Sequence, residues 1–527
     1  MLSTTMAFVA ADSDTILNSY NNAFYVSTGG NAYFKDTTAG GRTWFWGQAN
    51  EIEMIADAYD RTGSAGHRDM LSALCNSFVA NEGQLWTWNE YNDDIMWACI
   101  AFCRAHLATG NISFRDRAKA NFDAVWTRAW SADLGGGLWW RTDNQTKNAC
   151  VNGPAIIVAC YLYQILGDAS YLTKAQQMYT WERNTLFNAT SGAVADGINI
   201  NGVVYWGWIF SYNQGTLAGA ANALYNITGQ RSYYRDALLA TLHTKNAVCS
   251  NGIFPDYGDG DGSGFNGIAV RWIARFVQEQ QLWAEFYPWL KANADAAWNV
   301  RRSDNLSWHR WLTSTASGTR GSFECFGSVT ALQVIPPSNP ASWFMLVNQH
   351  SAKCVDLIAG NMSDGAVVNQ WSYDYNGANQ RWSLVPDGAQ LVASTYVSNN
   401  TAQQWDLVHT TNAWYQFRNV LSGKMLEVQG ASTANNGKLQ QFGSNTGTVQ
   451  RWRLQPWGDY FIRTSNGKYV CIAGGGSTNG STIIQYTKEN NSWFKWRFET
   501  AAEGRLRIAS LSALGRGTFM AFASGCR

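Results

Sequence analysis

A helix ending that recurs four times in the first 335 residues constrains the fold most strongly. Apolar, Ala-rich stretches end at Gly63, Gly110, Gly167 and Gly229. Glycine adopts the left-handed backbone conformation that ends an α-helix without a steric penalty. The intervals between these glycines are 47, 57 and 62 residues, which is enough for two helices and their loops. The pattern therefore predicts a series of helix pairs.

The segments that follow the last three glycines share a second pattern. An aromatic residue lies four positions after the glycine and an alanine eight positions after it, at Phe114 and Ala118, Tyr171 and Ala175, and Tyr233 and Ala237. Residues four apart lie on one face of a helix, so we expect this face to pack inward. The first copy is looser, with His67 and Leu71. Further helical patterns at 12–24, 266–283, 285–298 and 322–334 raise the expected total to eleven or twelve helices.

Helices that are apolar on every side alternate with amphipathic helices along this region. A helix that is apolar all round is buried among other helices. Inner helices that alternate with outer helices around a ring form an (α/α)6 barrel, which is the fold we expect. A helical solenoid is the alternative.

The loops that lead into the expected inner helices are rich in Trp, Gly, Asn and Asp. They occupy residues 40–51, 86–94, 134–144, 206–215 and 254–267. Trp has a large flat face that can pack on a sugar ring, so a sugar-binding groove is favoured over simple closure of the barrel end. Only Arg42 and Arg141 supply positive charge in these loops, which favours a neutral glycan over the acidic substrate of an unsaturated-uronyl hydrolase.

Asp93 and Asp94 are adjacent at the start of an apolar stretch and are flanked by Trp and Tyr. One explanation is helix capping, but Asn92 alone can cap a helix, and two adjacent acids repel each other. The other explanation is a glycosidase pair, with one ionised carboxylate and one carboxyl that burial and its neighbour keep protonated. Adjacent residues can bring carboxyls to the roughly 5 Å separation of retaining enzymes. We therefore predict catalysis with retention of anomeric configuration.

Other motifs argue against cofactors and nucleic acid. The DGDGSG segment at 259–264 resembles half a calcium loop, but Val270 occupies the position of the bidentate Glu, so we expect no metal and no cofactor. A net charge of +1 gives no attraction to nucleic acid, and no apolar run suggests a membrane span. The ten Cys permit disulfides, although Cys99 and Cys103 are as well explained as small buried residues.

The first residues and the sequons indicate a secreted protein. Residues 1–11 resemble the last part of a signal peptide, although no basic residue precedes Lys35. Nine Asn-x-Ser/Thr sequons are typical of a secreted glycoprotein. We expect an extracellular or cell-wall location.

Several motifs together resemble family 76 glycoside hydrolases from about Asp12 to Pro337. They are GQANEIEMI, WNEYNDDIMW, LGGGLWWR, YNQGT and GDGSGFNGI. The resemblance implies an (α/α)6 fold and endo-α-1,6-mannanase activity, with Asp93 as the nucleophile and Asp94 as the acid/base. The segments that line the groove in this family contain Trp88, Asn92, Trp97, Trp139, Trp140, Tyr212, Asn213, Gln214 and Asp261.

Residues after a Pro-rich linker at 336–342 show short strand patterns and a different repeat. Gln-x-Trp occurs at Gln380–Trp382, Gln403–Trp405 and Gln450–Trp452. This repeat resembles ricin-type β-trefoil lectins, and the positions that bind sugar in that family correspond to Asp356, Asn369, Trp371, Asn379 and Gln380. The Trp of Gln-x-Trp itself is expected in the core.

The later lectin copies are less complete. The second full copy has Glu427, Gln440, Phe442 and Gln450 but carries Val449 in place of Asn, so it is a doubtful site. The last copy has Cys471 and Ile484 at polar positions and is expected to be structural only. Trp382 and Trp405 are only 23 residues apart, which indicates a shortened copy near 383–413.

The sequence thus predicts a multidomain monomer, with an all-α (α/α)6 barrel followed by an all-β trefoil-like lectin domain. The predicted segments are a signal-like stretch at 1–11, the hydrolase at 12–335, the linker at 336–342, the lectin repeats at 343–498 and an irregular tail at 499–527. Its expected partners are mannan or another mannose-containing polysaccharide and a lectin-bound glycan. The alternatives are a mannan transglycosylase and a non-catalytic lectin.

Overall fold

The computed structural model describes residues 7–29, 31–280 and 282–340, together with strands and turns of the following region. Those later ranges are 343–348, 354–357, 368–371, 405–409, 415–419, 424–433, 437–457, 460–461, 469–472, 483–486, 495–500 and 506–510. The chain divides into two compact units, the first with Met1–Glu279 and Phe286–Asn339 and the second with Gln280–Glu285 and Pro340–Arg527. The division between Asn339 and Pro340 falls inside the predicted linker.

The described part of residues 1–339 contains twelve α-helices and four short strands. The helices are α1 Ala10–Phe24, α2 Phe45–Thr62, α3 Ala65–Glu82, α4 Asn92–Thr109, α5 Ile112–Ala129, α6 Ala149–Leu166, α7 Ala169–Thr185, α8 Ser211–Thr228, α9 Arg231–His243, α10 Phe265–Glu279, α11 Trp283–Asn299 and α12 Ser322–Val334. Strands β1 (Tyr25–Thr28) and β2 (Asn31–Phe34) form one antiparallel pair, and β3 (Thr146–Asn148) and β4 (Gly197–Asn199) form another. The predicted number of helices is confirmed.

The predicted helix endings are confirmed at all four glycines. Gly63, Gly110, Gly167 and Gly229 end α2, α4, α6 and α8 with φ of 65°, 75°, 71° and 69°, in the left-handed region. The aromatic and alanine positions that follow are also buried as expected, at Phe114, Ala118, Tyr171, Ala175, Tyr233 and Ala237. This face of each second helix packs back on the first helix of its pair.

Six helices form a closed inner ring, which confirms the (α/α)6 barrel and excludes the open solenoid. α2, α4, α6, α8, α10 and α12 each pack on the next, and α12 packs on α2 to close the ring. The outer helix α3 packs against α2 and α4, α5 against α4 and α6, and α7 against α6 and α8. Close approach of α8 and α10 requires a glycine, because a Cβ at Gly215 would lie 2.6 Å from the Cα of Ala269.

A buried ion network joins three inner helices. The Arg104 guanidinium from α4 binds Asp57 of α2 at 2.7 Å and Glu53 of α2 at 3.1 Å. Arg271 from α10 binds the other oxygen of Asp57 at 2.7 Å. Arg271 also lies 3.6 Å from Glu53, so each of these four residues has at least two partners. Removal of one member would leave the remaining buried charges unbalanced, so this network fixes the relative positions of α2, α4 and α10.

α6 is the most apolar part of the ring. Within the described residues, it is the helix that is long and apolar enough to cross a membrane. However, 78% of this stretch is buried inside the protein, where α4 and α8 flank it in the ring. Its position as an inner helix accounts for its apolar sequence.

Residues 8–11 belong to the helical unit, although the sequence analysis placed them in a signal-like segment. Phe8 is buried, and its backbone N–H donates to Asp295 Oδ1 at 2.7 Å. α1 begins at Ala10, two residues before the predicted start of the domain.

The cysteines of the first unit are not paired with one another. Cys75, Cys99, Cys103, Cys150, Cys160, Cys249 and Cys325 are free, and all but Cys249 are buried. Cys99 donates its thiol to the carbonyl of Ala118 at 3.4 Å. For Cys99 and Cys103, the interpretation as small buried residues is confirmed, and none of the seven forms one of the permitted disulfides.

The second unit is built from antiparallel β-strands, as predicted. They are β5 Trp343–Asn348, β6 Cys354–Leu357, β7 Val368–Trp371, β8 Trp405–His409, β9 Tyr415–Asn419, β10 Met425–Val428, β11 Gly437–Phe442, β12 Trp452–Trp457, β13 Tyr460–Phe461, β14 Tyr469–Ile472, β15 Ile483–Tyr486, β16 Lys495–Thr500 and β17 Leu506–Ser510. The largest sheet has the order β10-β11-β7-β6-β5-β12-β9-β8, and β10 also pairs with β9. β17 pairs with β16 and lies in the segment predicted as an irregular tail.

Candidate active site

A cavity of about 950 Å3 opens where the inner helices begin. Residues at the starts of α2, α4, α6, α8 and α10 line it, together with residues of the loops before them. Its lining contains ten aromatic residues and four aspartates, Asp93, Asp94, Asp196 and Asp261. None of the described residues that line it is basic. The cavity therefore combines aromatic surfaces with acceptors and has no group that would attract an anionic substrate.

The start of α4 places the two adjacent aspartates in this cavity. Tyr91, the residue before the helix, makes no side-chain capping hydrogen bond, and Asp93 and Asp94 lie in the first turn. Asn92 instead binds outside the helix. Its side-chain amide donates to the Trp139 carbonyl at 2.8 Å, and its oxygen accepts from Arg128 Nε at 2.7 Å. These bonds fix the start of α4, so Asp93 and Asp94 are held by the backbone rather than by ion pairs.

Asp93 is the more deeply buried carboxyl of the pair. Burial raises the pKa of Asp93 well above its usual range, and the nearby charge of Asp94 raises it further. The Trp140 indole and the Cys150 thiol lie beside this carboxyl and act in the opposite direction on its pKa. Oδ1 of Asp93 is buried and makes no hydrogen bond within the protein. An uncharged Asp93 is therefore favoured in the cavity as it stands.

Asp94 is more accessible and is held by one amide. Burial raises the pKa of Asp94 to about 6, and the charge of Asp261 acts in the same direction. The Asn89 side-chain amide donates to Asp94 Oδ2 at 2.9 Å, which lowers the pKa. The two carboxyls therefore differ in environment, as a pair with different protonation states requires.

Asp196 is a third carboxyl in the cavity, and it comes from the loop before β4. Asn213 of α8 donates to Asp196 Oδ1 at 3.1 Å, and Asn148 donates to Asp196 Oδ2 at 3.1 Å. Burial raises the pKa of Asp196, whereas these two amides lower it. Asn213 of α8 and Asn148 of β3 thus hold one acceptor at the cavity wall.

The predicted groove residues have different locations. Trp97, Trp140, Tyr212 and Asp261 line the cavity, and Asp261 accepts a hydrogen bond from the Trp46 indole at 3.2 Å. Trp88 is 60% exposed, packs edge-on against Phe45 and lies outside the lining. Four of the predicted residues support the cavity wall or lie behind it, namely Asn92, Trp139, Asn213 and Gln214, all of which are buried.

Other lining residues were not singled out from the sequence. Trp44, Trp46, Tyr205, Trp208 and Phe210 line the cavity, and except for Tyr205 they lie in the loops that the sequence analysis had selected. Tyr205 and Asp196 lie outside all five loops. Asp196 is the single acidic residue in the otherwise apolar segment AVADGI, and this pattern could have marked it as a candidate site residue.

The structure describes only part of the predicted lectin site. Asp356 and Asn369 are register partners across the β6–β7 pair, and Glu427 and Gln440 are register partners across β10–β11. The two copies therefore place these polar positions in the same way. Asn379 and Gln380 lie outside the described residues, as do the side chains of Asp356, Asn369 and Trp371.

The second copy uses its polar residues internally. The Gln440 amide donates to Glu427 Oε1 at 2.7 Å, and the Gln450 amide donates to Glu427 Oε2 at 2.9 Å. Both carboxylate oxygens thus have partners within the domain. Trp452 is fully buried and donates to the Leu426 carbonyl at 3.0 Å, which agrees with the expected core role of this Trp.

Comparison with known proteins agrees with the fold. The family model described as glycosyl hydrolase family 76 matches residues 5–338. The chain belongs to glycosyl hydrolase family 76. It is therefore a glycoside hydrolase, and the resemblance noted from its motifs is confirmed. The model described as ricin-type beta-trefoil lectin domain-like matches residues 333–402 and 401–486.

Individual members of family 76 show the same likeness. An α-1,6-mannanase of Salegentibacter sp. HEL1_6 is 28% identical with a TM-score of 0.57, and the match covers 62% of this chain and 98% of that protein. That structure is an inactive variant, in which two consecutive aspartates are replaced by asparagine, in complex with α-1,6-mannotriose. A Schizosaccharomyces pombe protein provisionally named mannan endo-1,6-alpha-mannosidase is 24% identical over 53% of this chain and 70% of its own length. A Candida glabrata mannan endo-1,6-alpha-mannosidase is 28% identical over 34% of this chain and 44% of its own length.

Proposed function

We propose that this protein is a secreted, retaining endo-glycosidase that hydrolyses α-1,6-mannosidic linkages in mannan or cell-wall glycans. The observation that carries the proposal is the pair Asp93 and Asp94, adjacent but unequally buried, in a cavity lined by aromatic side chains. The related mannanase that binds α-1,6-mannotriose is inactive when two consecutive aspartates are replaced. Asp93 and Asp94 are also consecutive, so we propose that they correspond to the two aspartates of that mannanase.

The shape and charge of the cavity suit an internal segment of a neutral polysaccharide. Trp46, Trp97 and Trp140 line it and offer faces on which sugar rings can pack. Asp196 and Asp261 offer carboxylate oxygens that can accept hydrogen bonds from hydroxyls. A substrate with its own carboxylates would meet like charges here without a compensating cation.

In the proposed mechanism, Asp93 attacks the anomeric carbon while Asp94 donates a proton to the departing glycosidic oxygen. A covalent glycosyl–Asp93 ester forms and the C–O bond to the leaving sugar breaks. Water then attacks the same carbon and gives its proton to Asp94, which releases Asp93 as a carboxylate. Two inversions at one carbon give net retention.

The protonation of the pair must change between the empty cavity and this first step. Burial favours a neutral Asp93 in the cavity as it stands, whereas attack requires a carboxylate. Positive charge that develops on the sugar ring stabilises an ionised Asp93. The nearby Trp140 indole and Cys150 thiol also favour that form. We therefore infer that bound substrate moves the shared proton from Asp93 to Asp94.

The lectin repeats would hold the enzyme on its polymer. A second binding module on one chain raises the local concentration of substrate at the catalytic cavity. We assign glycan binding to the first copy, with Asp356, Asn369, Trp371, Asn379 and Gln380. In the second copy, Gln440 and Gln450 already occupy the carboxylate of Glu427.

Hydrolysis of linear α-1,6-mannan tests the catalytic assignment. We expect Asp93→Asn and Asp94→Asn each to lower kcat by at least about 100-fold, because each removes a group that acts on the reacting atoms. Asp69→Asn is the matched control, since Asp69 is exposed on the outer helix α3. Activity that persists in both variants would remove these residues from the mechanism.

The products of the wild-type enzyme test the remaining parts of the proposal. NMR of the first product should show the α-anomer, and the β-anomer would refute the two-step mechanism. Products longer than the starting oligosaccharide would identify transglycosylation. Fragments of several lengths from a long chain would support endo cleavage, whereas mannose alone would contradict it.

A further inference from the structure

A second groove, with a volume of about 550 Å3, lies on the outer surface of the helical unit. One wall is a row of four residues on α7, which we call the α7 row: Thr173, Gln177, Thr180 and Asn184. The other wall comes from Trp130 and the glycine-rich loop that follows it. None of these residues belongs to the catalytic cavity.

The α7 row is exposed and uncharged. Its members lie four, seven and eleven positions along the helix from Thr173, so they share one face. All four are exposed, and each carries a hydroxyl or an amide. The basic residues of the same helix have other partners, because Lys174 lies over the Tyr171 ring and Arg183 pairs with Asp236. The Thr173 and Thr180 hydroxyls donate to backbone carbonyls of α7, so they offer oxygen atoms as acceptors. The amides of the other two residues offer both donors and acceptors, and the face carries no charge.

Aromatic side chains complete the groove and are held in place. Trp130 stacks on Trp126 with ring centroids 4.6 Å apart and an interplanar angle of 13°. Trp181 is buried and donates its indole N–H to the Leu134 carbonyl at 3.0 Å. Indole surface beside neutral hydroxyls and amides is the combination that binds neutral sugars in proteins.

The segment from Trp130 to Trp140 links this groove to the catalytic cavity. Trp130 lines the groove at one end of the segment, and Trp140 lines the cavity at the other end. The Lys147 ammonium holds the loop between them by donating to the Ser131, Asp133 and Gly136 carbonyls. A long polymer could therefore contact both sites on one enzyme molecule.

We propose that the groove between α7 and Trp130 is a second binding site for a neutral glycan chain, which holds polymer while the cavity cleaves it. The choice of α-1,6-mannan as the polymer rests on the proposed function. In this proposal the groove contributes to the binding of chains that are long enough to occupy it and the cavity together, and it does not contribute to the binding of a short oligosaccharide in the cavity.

The test compares a triple variant with a matched control in the full-length chain. The variant is Gln177→Ala, Thr180→Ala and Asn184→Ala, which removes three polar side chains while favouring helix formation. The control carries Asn76→Ala and Thr127→Ala, at exposed positions on the outer helices α3 and α5. The lectin domain is present in both, so any difference between them reports on the groove.

Two measurements decide the outcome. Affinity electrophoresis in gels containing linear α-1,6-mannan, with Asp93→Asn added to both proteins, should show about tenfold weaker binding by the triple variant. With Asp93 intact, kcat/KM should fall several-fold on mannan and stay unchanged on mannotetraose. Equal retardation of variant and control would overturn the proposal, and so would an equal loss on both substrates.

These outcomes separate the groove from the proposed function. If the wild-type enzyme does not cleave mannan, the proposed function fails, but the electrophoresis still decides the groove because it needs no hydrolysis. If the wild-type enzyme cleaves mannan while the variant binds and cleaves it equally well, only the groove proposal fails.

Discussion

Replacement of Lys147 by Met tests how the wall of the cavity that contains Asp93 and Asp94 is held. Lys147 lies on β3 between Thr146 and Asn148, which both line the cavity, whereas its own side chain is fully buried. The ammonium donates to three backbone carbonyls, those of Ser131 at 2.9 Å and of Asp133 and Gly136 at 2.6 Å. It also lies 4.6 Å from the centre of the Trp139 ring. Met keeps the apolar stem but removes every donor.

The expected loss of stability follows from these contacts. Hydrogen bonds from a charged group contribute about 1.5–3 kcal/mol each, but burial of the ammonium costs several kcal/mol in return. Ser131 and Asp133 lie in an accessible segment, so their carbonyls can turn to water after the substitution. The buried Gly136 carbonyl cannot, and this costs about 1–3 kcal/mol. We expect a net loss of about 2–3 kcal/mol, or a fall in Tm of about 4–6 °C.

Calorimetry and kinetics on mannan measure the effect. Because Trp140, Thr146 and Asn148 lose a common support, we expect kcat/KM to fall about tenfold although Asp93 and Asp94 are unchanged. Lys119→Met is the control, since Lys119 is 44% exposed and forms a surface ion pair that is worth less than about 1 kcal/mol. Unchanged Tm and unchanged kcat/KM for Lys147→Met would refute the view that this lysine holds the cavity wall.

Two further predictions concern pH. The proposed mechanism needs one proton on the pair, and Asp93 holds it in the empty cavity, so kcat/KM should rise as pH rises through about 6, where Asp94 loses its own proton. Asn89→Ala should move this limb to higher pH, because the Asn89 amide lowers the pKa of Asp94. A pH–rate profile checks this, and a shift to lower pH would contradict it. Burial raises the pKa of Glu51 to about 8, so the stability that its protonated form contributes is complete below its unfolded value near 4.5 and is lost as pH rises through about 8. We therefore expect the free energy of unfolding of Glu51→Gln, minus that of the wild type, to be more positive at pH 8.5 than at pH 5, as denaturant titrations can measure. An equal difference at both pH values would show that Glu51 does not titrate in this way.

The helix endings and the position of the adjacent carboxyls, Asp93 and Asp94, could be read from the sequence because local chemistry determines them. Gly63 and Gly110 end helices through a backbone conformation that depends on one residue and its neighbours. Asp93 and Asp94 stood out because two adjacent acids precede an apolar helix. The free-energy cost of placing two like charges there can be inferred from the sequence alone. The same holds for Trp452, whose burial follows from the Gln-x-Trp repeat.

The sequence did not show which individual side chains line the cavity. Adjacent residues on a helix point about 100° apart, so a groove-lining loop does not reveal which of its side chains faces the cavity. Asn92 points to Arg128 and the Trp139 carbonyl, whereas the next residue, Asp93, faces the cavity. Asn213 likewise supports Asp196 from behind the lining.

The sequence by itself determined the helical repeat, the two kinds of domain and the position of the paired carboxyls. The tertiary structure alone shows that Asp196 lies in the same cavity as Asp93 and Asp94, although the pair precedes it by about a hundred residues in the chain. The folded loop between α5 and α6 decided that Lys147 is buried under three carbonyls. The physical reason is that Asp196 and the adjacent pair come from different helix pairs, so their separation is defined only once α4, α6 and α8 pack on one another in the ring.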